Sequence, residues 1–353
     1  MKALSVQSPA KAERPAEAAL QRIHPLRPML ELVSAVCAWI VDALTTFMVG
    51  VIRIGPIPSH VAFVMDGNRR YARRFGLDVS KGHAEGADTL EQTLDWCLKL
   101  GVKTVTVFAF STENFSRNKE REVDPIMQLC ADKFKKFASH SELIEKHNIA
   151  VRVYGKLHLL PRSVQNAAAL ATKMTQNNAN ATLNVCMPYT SREEITDAIQ
   201  RLVAAVEDGV LNEDDISEEV LEAVFWTGGV SGPLDILVRT SGEVRLSDFM
   251  MWQASKSCQI HFLKIMWPDF TFWHMLPALL QYQANFICLS KSRRQYENES
   301  DFLLSRETET LDTETIKRVD RVKAFLAVDT KHRLNQALNL VESCEQGKSG
   351  KVA

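Results

Sequence analysis

The seven cysteines of this 353-residue chain (positions 37, 97, 130, 186, 258, 288 and 344) include no Cys-x-x-Cys pair. Their scatter and odd number exclude a disulfide framework and a four-cysteine structural zinc site, and fit a reducing compartment. Most lie in apolar stretches, where a free thiol behaves as a small hydrophobe. Excess charge is also lacking: 42 Lys and Arg against 43 Asp and Glu leave a net charge of -1. A globally basic nucleic-acid-binding surface is therefore excluded, and any anion site must be local. No Gly-x-Gly-x-x-Gly follows a strand-like run, and there is no Gly-x-Ser-x-Gly elbow, His-Glu-x-x-His helix or Asp-Asp-x-x-Asp pair. Gly347-Lys348-Ser349 resembles the end of a P-loop, but Glu342 stands where its first glycine belongs. Internal repeats and low-complexity tracts are absent from the central part of the chain.

What the chain does contain is an alternation of strands and helices. Apolar, strand-like runs occur at Val61 to Met65, Thr104 to Phe110, Ala150 to Tyr154, Thr182 to Cys186, Asp235 to Arg239 and Gln259 to Leu263. Helical stretches are expected at Ala87 to Leu100, Asp124 to His147, Arg162 to Asn177, Ser191 to Asp208 and Glu218 to Val224. This order predicts an α/β fold, a parallel sheet of about six strands with helices on both faces and right-handed crossovers.

Four segments are expected. Residues 1–28 read as a disordered lead rich in Ala, Glu, Lys and Pro. Residues 29–55 form an apolar helix carrying Glu31, Asp42 and Arg53. A charge near mid-span is costly, which favours an amphipathic helix lying on a membrane, although the length would also allow a span of roughly 20 residues. Gly55-Pro56-Ile57-Pro58 stops it. Residues 56–290 hold the α/β domain. Residues 291–353 form a helical extension, with Ile316, Val319, Val322, Phe325 and Leu326, then Leu334, Ala337, Leu338 and Val341, at helical spacing. Two amphipathic helices joined near Asp329 and Thr330 are expected there.

Three strand ends carry chemistry. His60 to Arg74, HVAFVMDGNRRYARR, runs an apolar strand into Asp66, a glycine turn and four arginines. Ligands of open α/β sheets bind beyond the carboxyl ends of strands. There Gly67 admits a ligand close to the backbone, the amides after it open a helix, and Arg69 and Arg70 offer forked donors to phosphate oxygens. Asp66 suits a divalent metal bridging to such a phosphate. The second end, Phe110-Ser111-Thr112-Glu113-Asn114-Phe115-Ser116-Arg117, supplies hydroxyls, an amide and an arginine. The third delivers Arg239 before a Thr240-Ser241-Gly242 turn, after which Arg245 and Ser247 return toward the same end. Two arginines and a serine around a turn can hold a second diphosphate. His83 fits either a phosphate contact or proton transfer, or simply a hydrogen-bonded histidine at a helix start, and the pattern does not choose between them.

The segments MDGNRRYA, GHAEG, FAFSTENFSR, LNVCMPYTSREEI, ILVRTSGEVRLSDFMMWQ and MWPDF stand in one order and spacing. In these, over roughly Gly55 to Phe286, the chain resembles the cis-prenyltransferases, the undecaprenyl and dehydrodolichyl diphosphate synthase family, and within it the eukaryotic catalytic subunits. The resemblance implies repeated condensation of isopentenyl diphosphate onto farnesyl diphosphate, giving a long polyprenyl diphosphate for dolichol synthesis and protein glycosylation. It implies that Asp66 holds Mg²⁺, that Gly67, Asn68, Arg69, Arg70 and Arg117 bind the allylic diphosphate, and that Arg239, Arg245 and Ser247 bind isopentenyl diphosphate. Asp66, His83 and Asn114 match positions that act in catalysis, substrate binding or proton handling. Phe115 stands where bacterial relatives have Trp beside the prenyl chain. Leu90, Leu94, Met127 and Phe134 are expected to wall an apolar tunnel, although core packing accounts for the same residues.

The chain departs from the family pattern in three places. Cys258 stands where bacterial homodimeric relatives carry a metal-binding Glu, Val79 replaces an Arg ahead of His83, and the sequence GKSGKVA lacks the Arg-x-Gly ending. By the resemblance these imply a heteromer on the cytosolic face of the endoplasmic reticulum membrane. Its second subunit would be of the Nogo-B receptor type and carry that Arg-x-Gly. The competing reading is a non-catalytic scaffold subunit of the same heteromer that binds lipid or partner. Such a subunit would be expected to have lost the metal carboxylate and the phosphate arginines, both of which are present.

Overall fold

The structure, a computed structural model, describes residues 27–139, 142–228, 232–299 and 313–349, so nearly all of the expected lead lies outside the described residues. The chain divides into two units, Met1–Val51 and Ile52–Ala353. The first contains most of helix α1 (Arg27–Ile52). Its Glu31–Ile52 stretch is long and apolar enough to cross a membrane. Exposed Leu32, Val33, Val36, Trp39, Ile40, Leu44 and Phe47 share a broad arc of the helix. Ser34, Asp42 and Thr45 fall outside that arc, with Val41 among them, as 100° per residue places them on this sequence.

In the second unit six parallel strands form one sheet: β1 (His60–Val64), β2 (Thr104–Phe108), β3 (Ile149–Tyr154), β4 (Ala181–Cys186), β5 (Ile236–Arg239) and β6 (Gln259–Phe262). Their order is β3-β4-β2-β1-β5-β6. All six expected strands are present, with ends shifted by a residue or two. Central β1 is buried along its whole length, which is why its sequence is apolar at every position rather than at alternate ones. Val61 pairs with Val105 on one side and Ile236 on the other. From β1 the chain moves away to β2 and later returns to β5 on the opposite flank. The connections leaving β1 and β5 diverge, and a crevice opens between them at the carboxyl edge.

The helices are α2 (Asn68–Arg74), α3 (Val79–Leu100), α4 (Asp124–Ala138), α5 (Glu142–His147), α6 (Arg162–Met174), α7 (Ser191–Glu207), α8 (Glu218–Val224), α9 (Met251–Ser255), α10 (Phe272–Glu299) and α11 (Thr313–Ser349). Three differ from expectation. The stretch Asp124 to His147 is two helices, because Ser139 leaves helical geometry (φ -105, ψ 68) and its hydroxyl donates to the Lys135 carbonyl at 2.9 Å. α3 begins eight residues earlier than its periodicity suggests, because the propensity cost of Gly82 and Gly86 is overridden by packing. The joint expected near Asp329 and Thr330 does not exist. α11 runs straight through, with Asp329 pinned by Arg201 at 2.6 Å and by Arg333, one turn on, at 2.9 Å. The C-terminal helical pair is thus α10 and α11. α11 docks through buried Val319 and Val322 and through buried Asp215, which accepts two bonds from Arg321 at 2.6 and 2.7 Å.

Candidate active site

The crevice between β1 and β5 is where the first and third sequence signals meet. Asp66 leaves β1 with one carboxylate oxygen accepting the Gly67 amide at 2.7 Å and the other accepting Nη2 of Arg239 at 3.0 Å. Its backbone is fixed as well, since the Thr240 hydroxyl donates to the Asp66 carbonyl at 2.7 Å and Trp267 donates its amide to the same oxygen at 3.0 Å. The Asp66 side chain keeps 34% exposure, whereas that of Arg239 keeps 4%. Asp66 is therefore a preset carboxylate with a face open to the crevice. Arg239 is a buried strut, since its Nη1 also donates to the Arg245 carbonyl and to Oγ of Ser247, both at 2.6 Å.

Gly67 is required on two counts. Its φ of +109 lies in the left-handed region, and a Cβ there would stand 3.0 Å from that of Met266. From this turn α2 presses against α3. A Cβ at Gly82 would collide with the Asn68 carbonyl, and one at Gly86 with the Asn68 side chain. The GHAEG glycines are thus the contact surface that brings His83 to the start of α2. Asn68 donates to the Met65 carbonyl at 3.1 Å, while its Oδ1 is buried with no partner among the described residues.

Here Arg69, His83 and Arg117 gather. Burial, and then the positive charges of Arg117 and Arg69, push His83 down to about 4, against the pull of Glu122. Its Nε2 is buried without a partner among the described residues. Burial and the neighbouring Arg69 lower Arg117 in turn. Glu122, 3.3 Å from Arg69, offsets part of this excess. Cations crowded against one another beside unsatisfied buried atoms constitute a site with a standing demand for an anion. Arg70 reaches outward to Glu243 at 3.2 Å and Asp66 at 3.7 Å.

The loop after β5 concentrates backbone strain, with Ser241, Ser247, Asp248 and Met250 all at positive φ (82, 52, 59 and 45). It presents Ser247 and exposed Arg245, whose guanidinium rests on Glu243 at 2.6 Å. In the second loop Thr112 donates to Glu193 at 2.7 Å, Asn114 is half-buried, and Phe115 meets Phe110 edge-on at 4.9 Å. Two contributors were missed by sequence reasoning. Ser241 has a buried hydroxyl with no partner among the described residues, beside Gly67. Trp267 donates from its indole to the Gly86 carbonyl at 2.7 Å and so ties the Asp66 turn to α3. The MWPDF segment contained that signal, but nothing in its pattern said what the Trp would hold.

Cys258 precedes β6 at the amino edge, where burial and then the charge of Asp235 push its thiol up to about 12. With about 3.3 Å per residue, this is roughly 13 Å along the strand from the edge that carries Asp66. In this chain position 258 cannot complete a coordination shell at Asp66, whatever residue occupies it. Among the described residues no three His, Cys, Asp or Glu side chains converge on a metal. One carboxylate with an open face does suit Mg²⁺, which commonly takes one or two protein carboxylates and fills its octahedron with phosphate oxygens and water. Val79 opens α3. Of the expected tunnel walls, Leu94, Met127 and Phe134 are buried and Leu90 is half-buried. A 1660 Å³ cavity lies elsewhere, between α7, the turn after β3 and α11, and none of these walls lines it.

The buried histidines set a pH dependence. His60, which is wholly buried, is also pushed down to about 4, and burial lowers His261. His60 and His83 are neutral when folded near pH 6 but take up protons when unfolded below pH 6.5, so folding stability falls as pH drops from 6.5 toward 4, and His261 acts in the same direction. His60 and His83 contribute up to about 1.4 kcal/mol per pH unit each. Carboxylates held low, such as Glu193 and Asp215, keep their contribution until pH falls below their ordinary range. Urea midpoints at pH 7.0 and 5.0 check this: an unchanged midpoint would contradict it.

Residues 64–287 match the prenyltransferase family model for undecaprenyl diphosphate synthase. The chain is 47% identical over 253 residues to the dehydrodolichyl diphosphate synthase complex subunit DHDDS of Homo sapiens, covering 72% of this chain and 75% of that one. It is 41% identical over 232 residues to a tritrans,polycis-undecaprenyl-diphosphate synthase (geranylgeranyl-diphosphate specific) of Methanopyrus kandleri, covering 66% and 84%. Lavandulyl diphosphate synthase from Lavandula x intermedia, solved with dimethylallyl diphosphate, superposes with a TM-score of 0.59 at 31% identity, over 64% of this chain and 95% of that one. With the six-stranded parallel sheet and its arginine-lined crevice, these matches establish that the chain belongs to the undecaprenyl diphosphate synthase family of prenyltransferases.

Proposed function

We propose that this protein elongates farnesyl diphosphate with successive isopentenyl diphosphates in cis geometry, making a dehydrodolichyl-type polyprenyl diphosphate. The observation that carries the reading is the Asp66–Arg239 pair across the crevice, flanked by the mutually repelling Arg69 and Arg117 with His83 between their charges. The α2 amides with Arg69, Arg70 and Arg117 would hold the allylic diphosphate, with Gly67 and Asn68 shaping the turn. Arg245 and Ser247, braced by Arg239, would face isopentenyl diphosphate. In each cycle the allylic C–O bond breaks and diphosphate leaves, the isopentenyl double bond forms the new C–C bond, and one proton is lost from the isopentenyl unit. Fixed guanidinium groups stabilise the leaving charge, and two substrates held side by side react as one. Bound at Asp66, Mg²⁺ would neutralise diphosphate charge. His83, neutral and without a partner among the described residues, and Asn114 are suited to orient a diphosphate or accept a proton.

The relatives support a further reading. Those from Homo sapiens and Schizosaccharomyces pombe are named complex subunits, the latter 44% identical over 69% of this chain and 92% of that one. We infer a heteromer with a second subunit of the Nogo-B receptor type, whose C-terminal Arg-x-Gly would complete the site. The apolar arc of α1 would hold it on the cytosolic face of the endoplasmic reticulum membrane. One experiment tests these points: labelled isopentenyl diphosphate, Mg²⁺ and either farnesyl or geranylgeranyl diphosphate, with and without the partner, on vesicles. Long products from farnesyl diphosphate only with partner present are expected. Full activity of the chain alone would refute the heteromer, a preference for geranylgeranyl diphosphate the specificity, and vesicle binding unaffected by deletion of α1 the anchor.

A further inference from the structure

The first turn of α7 leaves free the amides of Ser191, Arg192 and Glu193, which a helix cannot satisfy within itself. The capping residue Thr190 accepts one of them, that of Glu193, at 3.3 Å. The other two go to a residue of a different loop. Ser191 donates its amide to the Asp248 carbonyl at 2.7 Å, and Arg192 donates its own to the Asp248 carboxylate at 3.1 Å. The Arg192 guanidinium meets the second carboxylate oxygen at 2.6 Å, and the Ser191 hydroxyl accepts the Met251 amide at 3.1 Å. Asp248 thus caps α7 from outside, with its charge where the helix dipole favours an anion. The anchor is braced from below. Glu194, wholly buried in the same turn, accepts the Tyr189 hydroxyl at 2.6 Å, Gln253 at 3.0 Å, and the amide and hydroxyl of Thr227 at 2.9 Å each. Gln253 belongs to α9, so the start of α7 is tied to the helix that follows the loop. Within that loop Ser247 and Asp248 are consecutive residues at positive φ, 52 and 59. Such a conformation persists only where surrounding contacts over-determine it. The bonds from α7 fix Asp248, and buried Phe249 and Met250 hold the chain just beyond it. Through the peptide link the constraint reaches Ser247, whose hydroxyl accepts Nη1 of Arg239 at 2.6 Å.

We propose that Asp248 is a positioning residue of the isopentenyl diphosphate site: by capping α7 it holds the Arg245–Ser247 turn in its left-handed geometry and so sets where Ser247 meets the diphosphate. The inference rests on the assignment of Arg245 and Ser247 to that substrate. Asp248 acts through its neighbour, because its own carboxylate is engaged by α7 and its side chain keeps only 13% exposure. The YTSREEI segment thereby gains a function, since Tyr189, Ser191, Arg192 and Glu194 form the platform on which the loop is seated. The allylic side supplies an internal control. Glu193 holds the second loop by accepting the Thr112 hydroxyl at 2.7 Å, and its amide is capped by Thr190, so this contact outlasts the loss of Asp248.

The test uses the full chain with its partner, farnesyl diphosphate, labelled isopentenyl diphosphate and Mg²⁺, and measures the Michaelis constant of each substrate in turn. Asp248→Gly removes the carboxylate while leaving the backbone free to keep its positive φ. It is expected to raise the constant for isopentenyl diphosphate about 5- to 10-fold, the range that loss of a capping side chain supports, and to leave that for farnesyl diphosphate unchanged. Asp248→Asn tolerates the same φ and keeps an oxygen for the Arg192 amide, so it restores the wild-type constant. Arg192→Ala removes an exposed guanidinium but not the amide, and leaves both constants at their wild-type values. Asp248→Ser, with a shorter acceptor, falls between glycine and asparagine and serves if the glycine variant does not fold. A merely structural role would lower the urea midpoint without separating the two constants. An unchanged isopentenyl constant in Asp248→Gly, an equal rise for both substrates, or failure of asparagine to restore it overturns the proposal. If Ser247→Ala leaves the isopentenyl constant unchanged, or the wild type incorporates no isopentenyl unit, the substrate assignment on which the inference stands falls instead.

Discussion

Asp66→Ala is expected to lower the turnover of isopentenyl diphosphate incorporation by at least about 10²–10³-fold, the loss seen when one fixed electrostatic group is removed from a reacting centre. The carboxylate is the one acidic group that the β1 turn presents to the crevice, and its orientation is set by the Gly67 amide and Arg239. Alanine also strands Arg239, a buried cation that retains only the Arg245 carbonyl and Ser247 hydroxyl. Some loss of stability therefore accompanies the loss of activity. Asp66→Asn separates the two effects. It keeps the shape and one acceptor oxygen but removes the charge, so turnover should fall nearly as far while the urea midpoint falls less. Incorporation by either folded variant at the wild-type rate would remove Asp66 from the chemistry.

The legible parts of this chain were those in which one physical demand governs a whole segment. A strand buried on both faces must be apolar throughout, so β1 could be read from Val61 to Met65 with an error of one residue. Two glycines in a helix were harder, because propensity argues against α3 before Ala87 and only the approach of Asn68 explains Gly82 and Gly86. Asp66 and Arg239 were recognisable separately as strand-end residues. Their pairing depended on β5 lying beside β1, a fact of strand order that local pattern does not contain. The place of Cys258 at the amino edge is equally a matter of strand order, since spacing along the chain does not say at which edge of the sheet a residue will stand. Ser241 gave no signal at all, because a buried hydroxyl without a partner exists only once the loops close around it.

Asp235→Ala is expected to cost about 3–5 kcal/mol of folding stability, the range for breaking one side of a buried ion pair. Asp235 is at the opposite edge of the sheet from Asp66, its side chain 1% exposed. One of its oxygens accepts the amides of Ser59 and His60 at 2.6 and 2.9 Å, and the other meets Arg293 at 2.6 Å and the Tyr282 hydroxyl at 3.1 Å. Four donors from the entry to β1 and from α10 thus converge on a single carboxylate. Removing it leaves all four facing an apolar gap, and the Arg293 guanidinium loses its counter-charge. Asparagine is a poor substitute, because one of its two positions becomes a donor directed at donors, so Asp235→Asn should fall between wild type and alanine. The urea midpoint reads the effect directly, and a loss below about 1 kcal/mol for alanine would show that water enters and satisfies the network. The same geometry separates stability from chemistry. His60 and Asp66 lie at opposite ends of β1, which stays paired on both sides between them. Loosening the amino edge should therefore leave the Asp66–Arg239 pair in place. Whatever fraction of Asp235→Asn remains folded is expected to show the wild-type Michaelis constant for isopentenyl diphosphate, and a raised constant would mean that the two edges of the sheet are mechanically coupled through β1.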